Sequence, residues 1–202
     1  MEAAGGMTCL VLAKAKYTYS GETLTLPKPI KICGQGIGET ILDGFGLNIT
    51  GITPSHRALS INGSVVIEDL SIQGGTLYGL CAYHGMDLIV RRCKVEKFQR
   101  GGLNAENAHI SCEDVQVVGC TYSGVFAYNS GTVKLSGENT RIEGNACGGG
   151  NGGRSFDYGL EAHDSSSKIQ IVTPLTKDTI SINNGGGGNW GGWGGTIEQV
   201  SK

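Results

Sequence analysis

A four-residue phrase recurs four times along this chain: Gly79-Leu80-Cys81-Ala82, Gly102-Leu103-Asn104-Ala105, Gly124-Val125-Phe126-Ala127 and Gly159-Leu160-Glu161-Ala162. Successive copies begin 23, 22 and 35 residues apart. Behind each phrase come two more alternating segments: Leu88/Val90 then Cys93/Val95, Ile110/Cys112 then Val115/Val117, and Val133/Leu135 then Thr140/Ile142. Upstream, Val65/Ile67 with Leu70/Ile72 follow the same template, and Ile30/Ile32 with Thr40/Leu42 follow it more loosely. Downstream, Ile169/Ile171 and Ile180/Ile182 extend it. Alternation with a period of two is the signature of strands, and no stretch shows the helical period. Three short strands per repeat leave no length for a hairpin return or a crossover helix. The remaining geometry is a coil whose turns stack as parallel strands about 4.8 Å apart. The hand should be right, as for nearly all parallel connections.

The sequence therefore predicts an all-β fold, a right-handed parallel β-helix of about six to seven coils with three short strands in each. It reads as a single domain over residues 1–202, with a glycine-rich insertion at about 145–157 and a Gly/Trp-rich loop over 185–195 near the C-terminus. The 35 glycines, more than twice the usual share, then have places to go. Some precede the first strand of each coil, while Gly74, Gly119 and Gly144 follow the third strand at equivalent corners. Collagen is excluded, because the glycines have no period of three and prolines number only 4. A charged fraction of 17 % argues against a coiled coil or a charged disordered tail. A net charge of −2 gives no electrostatic footprint for nucleic acid. No apolar run approaches the roughly 20 residues of a membrane span, so a soluble chain is expected. Gly34-Gln35-Gly36-Ile37-Gly38 is followed by a strand-and-turn pattern instead of the helix that a phosphate-cradling loop requires.

Met1 to Lys14 does not combine a charged start, an apolar block and a small-residue cleavage site, so no signal peptide is read there. Seven cysteines (Cys9, Cys33, Cys81, Cys93, Cys112, Cys120 and Cys147) cannot all pair within one molecule, and none stands in CxxC spacing. Neither a disulfide framework nor a metal site is expected, and no cofactor; unpaired cysteines favour a reducing compartment. Two sequons, Asn48-Ile49-Thr50 and Asn62-Gly63-Ser64, carry little weight.

With Leu80 and Ala82 facing inward, the outward column of the phrase is Cys81, Asn104, Phe126 and Glu161, beside Tyr83, Glu106, Tyr128 and His163. Tyr78, Gly101, Ser123 and Tyr158 stand just before the glycines. This face is aromatic and acidic. Cys93 and Cys112 fall at inward positions and read as core fillers, whereas Cys81 is expected outside. Glu68-Asp69, Arg91-Arg92 and Glu113-Asp114 occupy one corner in successive coils, which predicts a ladder of alternating charge.

Leu24-Thr25-Leu26-Pro27-Lys28-Pro29-Ile30-Lys31-Ile32-Cys33-Gly34-Gln35-Gly36, continuing through Thr40-Ile41-Leu42-Asp43-Gly44, resembles the opening coils of the pectate-lyase-like superfamily of right-handed β-helices. That resemblance covers the chain as a fold pattern and implies a polysaccharide groove on the long outer face. Tyr158-Gly159-Leu160-Glu161-Ala162-His163-Asp164 is similar to the Tyr-Gly-Phe-Asp-Pro-His-Glu segment of mannuronan C5-epimerases. This second likeness implies Tyr158, Glu161 and His163 as catalytic candidates for moving a sugar C5 proton. The segment departs from that family at Leu160, Glu161, Ala162 and Asp164, and its Gly-Leu-x-Ala frame already belongs to the repeat. The adjacent outward positions offer Phe126 and Tyr128 but no cation for a uronate carboxylate, and no aspartates cluster in register for calcium.

Two readings follow. In the first, the chain is a non-catalytic interaction module, a structural or accessory subunit that uses Tyr78, Tyr83, Glu106, Phe126, Tyr128, Trp190 and Trp193, or its coil ends, to bind another protein or an extended polysaccharide. Trp190 and Trp193 serve there as a plug over the last coil or as anchors. In the second, the chain is a polysaccharide-active enzyme of the polyuronate epimerase or lyase type, or a carbohydrate-binding module. The sequence favours the first, because the repeat alone accounts for most of the catalytic-looking segment.

Overall fold

The computed structural model describes residues 7–20, 24–26, 29–50, 64–147 and 157–202. The first turn is β1 (Thr8–Val11), β2 (Ala15–Thr18) and β3 (Leu24–Leu26). The second is β4 (Ile30–Cys33), β5 (Thr40–Asp43) and β6 (Leu47–Thr50), and the third β7 (Ser64–Glu68), β8 (Ser71–Gln73) and β9 (Leu80–Tyr83). Next come β10 (Asp87–Arg91), β11 (Lys94–Glu96) and β12 (Leu103–Glu106), then β13 (His109–Glu113), β14 (Gln116–Val118) and β15 (Val125–Tyr128). The sixth turn is β16 (Thr132–Ser136), β17 (Arg141–Glu143) and β18 (Tyr158–Ala162). The seventh is β19 (Lys168–Val172), a one-turn helix α1 (Lys177–Ile180), β20 (Ser181–Ile182) and β21 (Gly188–Gly191), and β22 (Thr196–Val200) opens an eighth.

Every third strand joins the same sheet. One sheet has eight strands, from β1 through β4 and onward to β22; the second runs from β2 to β20 and the third from β3 to β21, with seven strands each. All pairings are parallel, so the described chain is the expected parallel β-helix, with seven complete turns. The core is stacked columns. Ile32, Ile67, Val90, Cys112, Leu135 and Ile171 form one inward column of the first sheet, and Leu47, Leu80, Leu103, Val125 and Leu160 one of the third. Full burial of each such aliphatic chain contributes on the order of 1.5–3 kcal/mol. Cys112 is buried in the first of these columns and Cys93 in the corner between β10 and β11, so both fill the core as expected.

The glycine that opens each phrase is there for space. A Cβ built at Gly124 would stand 2.7 Å from Asn145 Nδ2 and 2.8 Å from Ile142 Cγ2, so the third sheet could not approach the corner residue that closes the coil. That corner carries its own device. Asn145 Oδ1 accepts from the Cys120 amide at 3.0 Å and its Nδ2 donates to the Val117 carbonyl at 2.9 Å. Asn184, one turn on, does the same for the Asn145 amide at 2.9 Å and the Ile142 carbonyl at 3.0 Å. Buried backbone groups at the bend are thereby satisfied by a side chain. At the corner between the first and second sheets, Arg91 lies opposite both Glu68 and Glu113, and Arg92 forks onto Asp69 at 2.6 and 2.7 Å. The alternating ladder is present. Gly34 to Gly38 turn straight from β4 into β5, with no helix behind them.

Several expectations change. Cys81, expected outside, is buried, because its thiol lies among the side chains of Tyr83 and Asn104 on a face that is covered. The segment 185–195 is not simply a loop: β21 within it pairs with β18, and Gly191 leaves room for the Tyr158 ring. Trp190 takes the column place that follows Leu160, its ring 3.3 Å from Lys177 Nζ and its Nε1 donating to Asp178 at 3.1 Å. Asn48 of the first sequon sits half-buried within strand β6. The second sequon and the tract from Gly148 to Gly153 lie, wholly or in part, outside the described residues. Among the described residues no helix is long and apolar enough to cross a membrane.

Candidate functional site

The outward column of the third sheet runs Asn48, Cys81, Asn104, Phe126, Glu161. On a flat exposed face all five would meet water, yet Glu161 is only 4 % exposed. The corners leading into the third sheet rise beside this column and wall it. Tyr78, Arg100, Tyr122, Ser123 and Asp157 come from those corners and, with Phe126, Glu161 and His163, line a cleft of about 340 Å³.

Glu161 is the polar centre of that cleft. The Ser123 hydroxyl donates to its Oε2, and its Oε1 lies 3.2 Å from His163 Nδ1. Burial pushes the Glu161 carboxyl above the ordinary glutamate range, against the hydrogen bonds from Ser123 and His163, and the charge of Asp157 adds to the rise. Ser123 is itself held, because its Oγ accepts the Tyr158 amide at 3.1 Å. Burial likewise pushes the Tyr78 phenol up to about 12, which keeps it protonated at neutral pH. Aromatic rings fix His163 from other directions. The stacked pair of Phe126 and Tyr128 lies edge-on to it at 5.6 and 5.3 Å, and Trp193 is tilted against it at 6.0 Å. Trp193 is 67 % exposed, so this cluster opens to solvent beside the cleft. With Nδ1 turned to a carboxylate, the Nε2 of a neutral His163 is the acceptor, which is the arrangement of a general base with its orienting acid.

Of the three catalytic candidates, Glu161 and His163 come together, whereas Tyr158 does not join them: its ring stands over Gly191. Of the contact candidates, Tyr78 and Phe126 line the cleft, and Tyr128 and Trp193 flank His163. Tyr83 and Glu106 continue the neighbouring column past Tyr128, and Trp190 belongs to the contacts of α1. The cation absent from the strand positions is supplied by a corner, as Arg100. Among the described residues its guanidinium makes no ion pair. Arg100, Tyr122 and Asp157 had a signal in the sequence: each stands two places before a phrase glycine, one position earlier than the column read there. Among the described residues no three His, Cys, Asp or Glu side chains gather as a metal site.

A family model described as right handed beta helix region matches residues 44–190, well over half of the chain, and its hand is the one expected of parallel connections. No curated protein and no solved structure matches.

Proposed function

The chain belongs to the right-handed β-helix family, and from that premise we propose that it acts on an acidic polysaccharide lying along the outer face of the third sheet, as a proton-transferring enzyme of the uronan epimerase or lyase type. One observation carries this reading: the Glu161–His163 pair shares a single cleft with Arg100. A uronate C5 proton lies next to a carboxylate, and removing it requires that charge to be neutralised and a base to stand close. Arg100 receives the carboxylate, and His163 Nε2 takes the proton while Glu161 steadies the imidazolium that forms. The electron pair left on C5 delocalises into the carboxyl group. It then either expels the glycosidic oxygen from C4, which takes up a proton from water as the unsaturated end forms, or takes a proton back on the opposite face from a phenol. Tyr78, kept protonated by burial, is suited to that return.

Alginate and pectate incubated in heavy water test the proposal. Deuterium at C5 or new unsaturated ends are the expected products, and His163→Ala should abolish both. Glu161→Gln should lower turnover by roughly 10⁴-fold, as loss of the carboxylate that orients a histidine base does, while Arg100→Ala should act mainly on KM. No exchange and no unsaturation across a uronan panel would overturn the enzymatic reading. The position of Tyr158 outside the cleft favours a second reading, a module that binds without turnover. It predicts retention on immobilised alginate that is lost in Trp193→Ala, with no deuterium entering the sugar.

A further inference from the structure

The cleft uses none of the seven cysteines. Cys81, Cys93, Cys112 and Cys120 are buried, and burial pushes the thiols of Cys81, Cys93 and Cys120 up to about 12, leaving them inert. Cys147 donates to its neighbour, the Asn145 carbonyl. Cys9 and Cys33 are different. They lie on the first two strands of the eight-stranded sheet with their sulfurs 3.9 Å apart, Cys9 exposed and Cys33 half-buried. Cys33 also donates to Glu68 Oε1 at 3.5 Å, and Lys31 Nζ sits 2.5 Å from the same carboxylate oxygen.

We propose that Cys9 and Cys33 are a redox-active dithiol, closed to an intramolecular disulfide by a small-molecule disulfide and reopened by the corresponding thiol. Cys9 is the accessible partner and attacks first. Its thiolate bonds to one sulfur of the small disulfide and expels the other as a thiolate. Cys33 then gives up its proton to water, its thiolate attacks the Cys9 sulfur, and the second small thiolate leaves. In sum, two protein S–H bonds are oxidised to one S–S bond, and one small disulfide is reduced to two thiols. Burial and the hydrogen bond to Glu68 raise the Cys33 thiol to about 11, which keeps it protonated at rest and assigns the first attack to Cys9.

The register gives this bond its character. Cys9 lies opposite Lys31 and Cys33 opposite Val11, so the two cysteines are diagonal, two places apart. On parallel strands a two-residue diagonal combines a strand spacing of about 4.8 Å with a rise of about 6.6 Å, roughly 8 Å at Cα, whereas relaxed disulfides rarely exceed about 6.8 Å. Closure must therefore pull β1 along β4. β1 can yield, because it is exposed throughout its length and pairs only with β4 among the described strands. A bond closed against strain is readily reduced, which suits a responsive pair better than a structural staple.

The test is peptide mapping of the full chain after oxidised glutathione and alkylation. The expected product has lost two hydrogens and carries a Cys9–Cys33 cross-link that excess reduced glutathione reverses. Cys33→Ser should stop at a glutathione adduct on Cys9, and Cys9→Ser should give neither adduct nor cross-link at Cys33. Glu68→Gln should leave the first step unchanged and speed the second, because the carboxylate that holds Cys33 protonated is gone. Amide exchange in β1 should change on oxidation. A stable Cys9 adduct in the unaltered chain, a cross-link between two molecules, or a Cys9–Cys33 bond that reduced glutathione leaves intact would each overturn the proposal.

Discussion

Glu161 and Asp69 illustrate two opposite fates of a carboxyl in this chain. Burial raises the Glu161 carboxyl, so the folded chain holds that proton more tightly than the unfolded chain does. The resulting stabilisation is complete below the ordinary value of 4.5 and is lost as pH rises through the folded value. Glu161→Gln should therefore melt higher than the parent at pH 7, with the advantage vanishing at pH 4; thermal melts at the two pH values check this. Asp69 runs the other way. The forked hydrogen bonds from Arg92 hold its carboxyl below 3.8, a contribution present at neutral pH and lost on acidification. Arg92→Ala should return Asp69 to the ordinary range in an NMR titration while costing at most about 1 kcal/mol, since the pair is largely exposed. The ladder of Glu68, Arg91 and Glu113 was legible at residue level because strand register transfers from coil to coil. The cleft was legible only in part. Period-two alternation fixes which strand residues share a face, but it says nothing of how Arg100 or Tyr122 leave a corner, where the chain bends and alternation stops.

The corner between the second and third sheets is the element on which each coil depends. Gly124→Ala pushes a methyl group against Asn145 and Ile142, neither of which can withdraw, and should cost about 1–3 kcal/mol, as overpacking does. Gly85→Ala meets no atom within 4 Å but is held at φ +78°, so only backbone strain of about 1 kcal/mol is expected there. Chemical denaturation of the two variants should rank them in that order. Asn145→Ala strips partners from the Cys120 amide and the Val117 carbonyl, with an expected loss of about 1–3 kcal/mol for each group left buried and unpaired. The strands of the central coils announce themselves by β-branched alternation. β21 does not, because Gly188-Asn189-Trp190-Gly191 has too few side chains to alternate, and its pairing with β18 is imposed by the coil beneath it. The same absence of side chains lets the Tyr158 ring lie across Gly191.

Contacts along the molecule run mainly between neighbouring coils, so stability should be distributed in one dimension. Native-state amide exchange is expected to be slowest in β10 to β16 and fastest in β1 to β3, where the strands are largely exposed. Uniform protection from end to end would contradict this. The 35-residue step from Gly124 to Gly159 carries a further consequence. The extra length enters between β17 and β18, yet Leu160 and Ala162 still take their places in the core columns. That junction also supplies Asp157 to the wall of the cleft. Growth of the chain is thus absorbed where the wall stands, leaving the floor unmoved. A change of chain length at this junction would alter what stands beside Asp157 while Leu160 and Ala162 keep their places in the core columns.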